Sequence, residues 1–228
     1  MAAIPLQRDV YYPESDGKPM GETEFHRDEI YGLIWALRQH YRNAPDVHVT
    51  GDLFLYYAQG DPRAVVCPDV FVVKGVSKEK RRIYKLWEEG RLPFLVIEVT
   101  SASTRGEDLG RKKDLYEKLG VEEYFIHDPL GEYLRPALQG FLLEQGRYRK
   151  IDPAPDRSLV SRTTGLTFRP QGHEIRLVET ATGQPLPTME EMVAKADQER
   201  VLRLEAEERA RAADEEIARL RRELDRCR

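Results

Sequence analysis

Phe94-Leu95-Val96-Ile97-Glu98-Val99-Thr100 is an apolar run broken by a single charge, and Glu123-Tyr124-Phe125-Ile126-His127 follows after a helical pattern over residues 107–119 that Gly120 terminates. A run apolar at nearly every position is the mark of a strand buried on both faces, not one alternating between core and water. With the polar turn 101–106 between them, the order is strand, helix, strand. Such a unit normally makes two parallel strands joined by a right-handed crossover.

Upstream, residues 47–57 and 64–73 are rich in β-branched and aromatic side chains and flank Gln59-Gly60-Asp61-Pro62, a turn signal, so they read as an antiparallel pair. The sheet is therefore mixed. Thr23 is placed to cap a helix running to about residue 42, with Ile30, Leu33, Ile34, Leu37 and Tyr41 at helical spacing. Residues 78–90 are charged and read as a short helix or loop. Downstream, residues 138–151 form a hairpin pattern around Glu144-Gln145-Gly146, and residues 166–168 and 174–178 are peripheral strand candidates around Gln171-Gly172. The fold class is α/β, a mixed β-sheet flanked by helices.

The chain of 228 residues, 40% apolar and 33% charged, suits one well-buried domain plus an appendage. The appendage begins near Pro187: residues 188–228 contain neither Gly nor Pro, and about half of them are charged. Domains are expected at 1–187 and 188–228. In the second, Ala206, Ala210, Ala213, Ile217, Leu220, Leu224 and Cys227 alternate spacings of three and four, a coiled-coil pattern suited to a homodimer, weakened by its alanines and by Glu199 and Arg203 on its extension. A solvated single helix is the alternative.

A net charge of −4 offers no global attraction to nucleic acid, so any DNA contact falls to a local basic patch: Arg105, Arg111, Lys112 and Lys113. Cys67 and Cys227 lack the spacing of a zinc site or a disulfide framework, which suits a reducing cytoplasm. Residues 1–16 hold no apolar core of signal-peptide length, and no run is long enough to span a membrane.

The chemistry lies where charge interrupts the core. Asp69, in Cys67-Pro68-Asp69-Val70, and Glu98 each break an apolar run, where an unpaired ionised group would cost several kcal/mol. Strand alternation aligns Val65, Cys67, Asp69, Phe71 and Val73, and likewise Phe94, Val96, Glu98 and Thr100, so the two carboxylates meet if these strands are neighbours. A hard cation such as Mg²⁺ takes one or two carboxylates, with water and phosphate oxygen completing its shell; two acids and a carbonyl suffice. On an ideal helix over residues 107–119, Leu109, Leu115, Tyr116 and Leu119 fall within about 60° of Lys112, whereas Arg111 and Lys113 lie about 100° to either side. Lys112 thus sits on the buried stripe, and Asp108 shares its face. His26 lies on the apolar side of the first helix, where a hydrogen-bonded core histidine is the commoner occupant.

A buried structural ion pair is the bland alternative, since lysines snorkel and an Asp after Pro often closes a turn. No G-x-S-x-G elbow, nucleotide-binding glycine loop or zinc-spaced His cluster is present, and a glycosidase pair would leave Lys112 without a role.

Pro68-Asp69-Val70, Ile97-Glu98-Val99-Thr100-Ser101, Ser103-Thr104, Asp108-Leu109-Gly110-Arg111-Lys112, Tyr116, Gly120-Val121-Glu122-Glu123-Tyr124 and Asp128-Pro129 together resemble the Uma2 family, which is assigned to the PD-(D/E)XK nuclease superfamily. The resemblance runs from about Glu22 to Val178 and is most specific between Pro68 and Pro129. It implies a restriction-endonuclease-like fold and a Mg²⁺-dependent endonuclease, Mn²⁺ being a possible substitute, acting on DNA. Where the superfamily carries Glu-x-Lys, this chain has Glu98-Val99-Thr100, and the resemblance implies that Lys112 substitutes. Ala102 and His127 depart from the family's commoner residues. The expected site is Asp69, Glu98 and Lys112 as catalytic residues, with Asp69, Glu98 and the Val99 carbonyl on the metal. His26, Asp108 and Tyr116 support it, and Arg105, Arg111 and Lys113 face the substrate. The rival expectation is a catalytically inactive nuclease-fold protein that binds nucleic acid or acts as a scaffold through its C-terminal helix.

Overall fold

A computed structural model of the protein describes residues 10–15 and 23–226. Position 227, the last of the heptad stripe, and most of the segment read for a signal peptide lie outside the described residues.

Along the chain stand α1 (Glu24–His40), β1 (Val47–Thr50), β2 (Leu55–Tyr56), β3 (Val65–Val66), β4 (Val70–Lys74), β5 (Tyr84–Lys85), α2 (Leu86–Glu89) and β6 (Pro93–Val99). Then come α3 (Arg105–Glu107), a π-helical turn (Asp108–Lys112), α4 (Lys113–Leu119), β7 (Glu123–His127), β8 (Leu138–Glu144), β9 (Arg147–Lys150), β10 (Leu159–Val160), β11 (Leu166–Gln171), β12 (Glu174–Glu179) and α5 (Met189–Arg226). Two compact units divide the chain, Met1–Leu186 and Pro187–Arg228.

The first unit is built on a six-stranded sheet in the order β1-β4-β6-β7-β8-β9. Only β6 and β7 run parallel in it, Ile97 opposite Phe125 and Val99 opposite His127; β1, β4, β8 and β9 pair antiparallel with their neighbours. This is the mixed α/β sheet anticipated above. Its central strands are apolar throughout because both faces are covered. On one face Val70, Val72, Leu95, Ile97, Val99 and Phe125 pack against Ile30, Leu33 and Leu37 of α1 and Phe168 and Leu177 of the sheet β10-β11-β12. On the other, Phe71, Val73, Val96, Tyr124 and Ile126 meet Tyr116, Leu55 and Tyr84.

The first helix begins at its cap, where Thr23 accepts a hydrogen bond from the His26 amide at 3.2 Å, and it ends at His40, short of residue 42. The long hairpin expected over 47–57 and 64–73 is broken. Its outer parts, β1 and β4, join the main sheet, while β2 and β3 pair in a separate small sheet with β5. Gly51 and Pro68 cause the break, since the Asp52 amide donates to the Pro68 carbonyl at 3.0 Å and the chains pass in close contact. A Cβ on Gly51 would lie 1.9 Å from the Asp69 carbonyl oxygen. Regular strand therefore stops at Val66 and resumes at Val70, leaving Asp69 outside it.

The helix expected over 107–119 starts earlier, at Arg105, and widens into the π-helical turn. Each residue of a π-turn advances through a smaller angle than in an α-helix, so Leu109 rotates out of the apolar stripe and is 40% exposed, against its expected place in the core. Asp108, Lys112 and Tyr116 remain buried.

The second unit is the 38-residue helix α5, on which Val201, Leu202, Leu204, Ile217 and Leu220 are exposed. Among the described residues, no helix is long and apolar enough to cross a membrane.

Replacing Gly51 by Ala forces two backbones apart beside Asp69. We expect a loss of about 1–3 kcal/mol, measured as a melting temperature lower by about 2–12 °C.

Candidate active site

The polar residues converge at the carboxyl ends of the parallel pair β6 and β7, the end at which ligands bind in open α/β sheets. Glu98, the penultimate residue of β6, is fully buried. Its Oε1 accepts from the Tyr116 hydroxyl at 2.7 Å, and its Oε2 accepts from Lys112 Nζ at 2.8 Å. Lys112 also lies 3.0 Å from Asp108 Oδ1, a pairing set by their separation of four residues in the widened turn. Asp108 is held in turn, Oδ2 by the Thr100 hydroxyl at 2.8 Å and its backbone carbonyl by the Tyr124 hydroxyl at 2.8 Å.

Asp69 joins this group from the break between β3 and β4. Its Oδ2 accepts from the Val99 amide at 2.7 Å, and its own amide approaches Glu98 Oε2 at 3.4 Å. The structure thus brings Asp69, Glu98, Val99, Asp108, Lys112 and Tyr116 together. Asp69 retains 17% of its side-chain exposure, whereas Glu98 has none, so solvent reaches the cluster at Asp69. His26 is also present, its Nε2 3.8 Å from Asp69 Oδ2.

Three carboxylates face one ammonium in a region of low dielectric. Burial, and then the charge of Glu98, push the Asp69 carboxyl well above the usual carboxylate range. Burial likewise raises Glu98, although Lys112 opposes the shift. For Lys112, burial alone would lower the ammonium, yet Glu98, Asp108 and Asp69 together hold it above the ordinary lysine range. Desolvation therefore does not activate this lysine as a base: it stays charged. Burial and the Glu98 charge also push the Tyr116 phenol well up, keeping it a donor.

The basic residues placed toward substrate by sequence each have a partner of their own. Arg111 pairs with Glu107 on the helix surface, Lys113 lies 4.3 Å from the centre of the Phe141 ring, and Arg105 lies 5.9 Å from that of Tyr133. Sequence reading missed the pair formed by Glu29 and His127, both 2% exposed, with Nδ1 and Oε1 2.9 Å apart. Glu29 also accepts from the Ile175 amide at 3.2 Å. Its signal was present: Glu29 follows His26 by three residues on the apolar face of α1, where a carboxylate needs a partner.

Among the described residues, no three His, Cys, Asp or Glu side chains are arranged to hold a metal ion. The cluster offers two adjacent carboxylates and the end of a strand. A cavity of about 1050 Å³ lies at the opposite end of β6 and β7, against Phe94, Glu122 and Leu142, remote from these groups.

Raised carboxyl pKa values make stability depend on pH in a defined direction. The folded state holds protons that the unfolded chain releases near pH 4, so stability present below that pH is lost as pH rises through the raised values. Without added metal, the melting temperature should fall from pH 4 toward neutrality, and Asp69→Asn should flatten that fall while still accepting from the Val99 amide. An equal fall in the variant would refute this account of the charge excess.

The family model described as "Uma2: Putative restriction endonuclease" matches residues 3–178. No curated protein matches the chain. Among solved structures, a "putative nuclease belonging to DUF820" from Anabaena variabilis ATCC 29413 is similar at 15% identity and a TM-score of 0.46, covering 68% of this chain and 86% of its own. With most of its length matched by that family model, the chain belongs to the Uma2 family.

Proposed function

We propose that the protein is a Mg²⁺-dependent endonuclease hydrolysing DNA phosphodiester bonds. The observation that carries this reading is the excess of negative charge at a solvent-reached point: Asp69, Glu98 and Asp108 share the single ammonium of Lys112. A divalent cation compensates such an excess, and the donor set suits a hard ion, since every candidate ligand is oxygen. Family membership supports the reaction class.

In this reading Asp69, Glu98 and the Val99 backbone carbonyl hold the ion, with Mn²⁺ able to replace Mg²⁺. When bound, the ion lowers the pKa of a water and neutralises charge on the phosphate. Lys112, kept charged by its carboxylates, orients that water and stabilises negative charge building on the phosphate oxygens. Asp108 fixes the position of the ammonium, and Tyr116 fixes the rotamer of Glu98. His26 supports Asp69 from 3.8 Å away, and Arg105, Arg111 and Lys113 supply contacts to the strand.

The reading extends to a homodimer through residues 188–228, supported by exposed Ile217 and Leu220 on the heptad stripe. It also takes a cytoplasmic setting, supported by two cysteines that lack the spacing of a disulfide framework.

With duplex DNA and Mg²⁺, Asp69→Asn, Glu98→Gln and Lys112→Ala should each lower nicking or cleavage by about 10²-fold or more while the protein still melts cooperatively. Equal activity in wild type and all three variants would sink the reading. Mg²⁺ should raise the melting temperature of wild type and not of Asp69→Asn. Truncation after Pro187 should leave about two fifths of the mass seen by light scattering, one shortened chain in place of two full ones; loss of only the tail's own mass removes the tail from assembly.

A further inference from the structure

A second concentration of positive charge lies at the sheet edge. Residues 74–82, Lys-Gly-Val-Ser-Lys-Glu-Lys-Arg-Arg, are strongly basic within a chain of net charge −4. Two of these cations are already neutralised, Arg81 by Glu89 and Arg82 by Glu14. Lys78 and Lys80 instead border a cavity of about 320 Å³ with Arg38, Tyr41 and His48, and among the described residues no acidic side chain lines it. Arg38 Nε donates to the Val49 carbonyl at 3.0 Å, which holds the guanidinium beside edge strand β1. Lys78 Nζ donates to the Tyr41 and Arg42 carbonyls at the end of α1, and an ammonium carries three donors.

His48 supplies the independent observation. It is 7% exposed, it lines this cavity, and its Nε2 finds no hydrogen-bond partner among the described residues. A buried polar atom left unsatisfied in a native fold calls for a ligand or another explanation. From His48, β1 runs three residues to Gly51, which abuts the Asp69 carbonyl. At strand rise that is about 10 Å, close to the axial rise of about three nucleotides of one DNA strand.

We propose that Arg38, His48, Lys78 and Lys80 form a phosphate-binding site at the β1 edge that holds a backbone phosphate of the nucleic-acid strand about three nucleotides from the scissile bond. The assignment to a strand rests on the endonuclease reading; the affinity for phosphate does not. Burial, then the charges of Arg81 and Arg38, push the His48 imidazole down to about 4. The ring is neutral at physiological pH and can present an Nε2–H to an anion while the lysines and Arg38 supply the charge.

The test uses the full chain with inorganic phosphate, compared with chloride at equal ionic strength. At about ten times its Kd, phosphate should raise the wild-type melting temperature by about 3–6 °C. The rise should vanish in Arg38→Gln/Lys80→Gln. His48→Phe removes an unsatisfied polar atom, so it should melt no lower than wild type in chloride and yet lose most of the phosphate response. Asp69→Asn should keep that response, so failure of the catalytic reading and failure of this site are read separately.

Binding of a duplex oligonucleotide, followed by anisotropy across a salt series with a chelator present, identifies the source of the phosphate. A slope of log K against log salt shallower by about 1 in the double variant supports strand binding. An unchanged slope with the phosphate response lost overturns the strand assignment in favour of a free phosphate. No phosphate-specific rise in wild type overturns the site.

Discussion

The ammonium of Lys112 organises this end of the molecule. Among the described residues it is the one cation directly paired with Glu98 and Asp108, and without it two carboxylates would lose that partner in the core. Its demands propagate outward. Glu98 must be oriented, which the Tyr116 hydroxyl does, and Asp108 must be held, which Thr100 and Tyr124 do. The π-helical turn brings Asp108 and Lys112 to the same side at the cost of a regular helix. The arrangement is over-determined for the lysine and under-compensated for the acids, and that asymmetry distinguishes it from a balanced internal salt bridge.

Much of this was legible in one dimension because burial forbids stray charge. Glu98 stood alone in an apolar strand, and Lys112 stood among apolar helix positions, so each announced a partner. The parallel pairing of β6 and β7 was equally readable, since a continuous apolar strand, a helix of suitable length and a second such strand leave few topologies. What escaped depended on shape and distance. The hairpin break at Gly51 and Pro68 is a steric event between chain segments, and no hydropathy pattern encodes it. The π-turn displaced Leu109 because helical-wheel reasoning presumes one fixed pitch. Glu29 and His127 are separated by 98 residues, so each looked like an isolated polar residue on its own element.

The sheet divides labour along its strands. Toward the carboxyl ends of β6 and β7, polar groups satisfy one another through short hydrogen bonds from tyrosine and threonine hydroxyls. Through the middle, both faces are wholly apolar and supply rigidity. That rigidity matters because carboxylates a few ångströms apart repel, and only a backbone that cannot relax keeps them in place. The break at Asp69 exploits it: the side chain takes the Val99 amide as donor, so a residue outside regular structure is tied to the stiffest strand in the unit.

The anchoring of α1 bears on how the molecule comes into being. This helix is made early and packs on β1, β4 and β6, yet some of its partners come late. His40 meets the Thr164 carbonyl, Phe25 packs on His173, and Glu29 takes the Ile175 amide. While the chain emerges from the ribosome, α1 must wait for roughly the whole first unit before these contacts can close, a long-range dependence that slows folding. His26, which that helix carries to Asp69, arrives with it. The order of synthesis therefore makes the full anchoring of α1, and with it of His26, later than assembly of the Lys112 cluster, whose residues all lie between Asp69 and Tyr116.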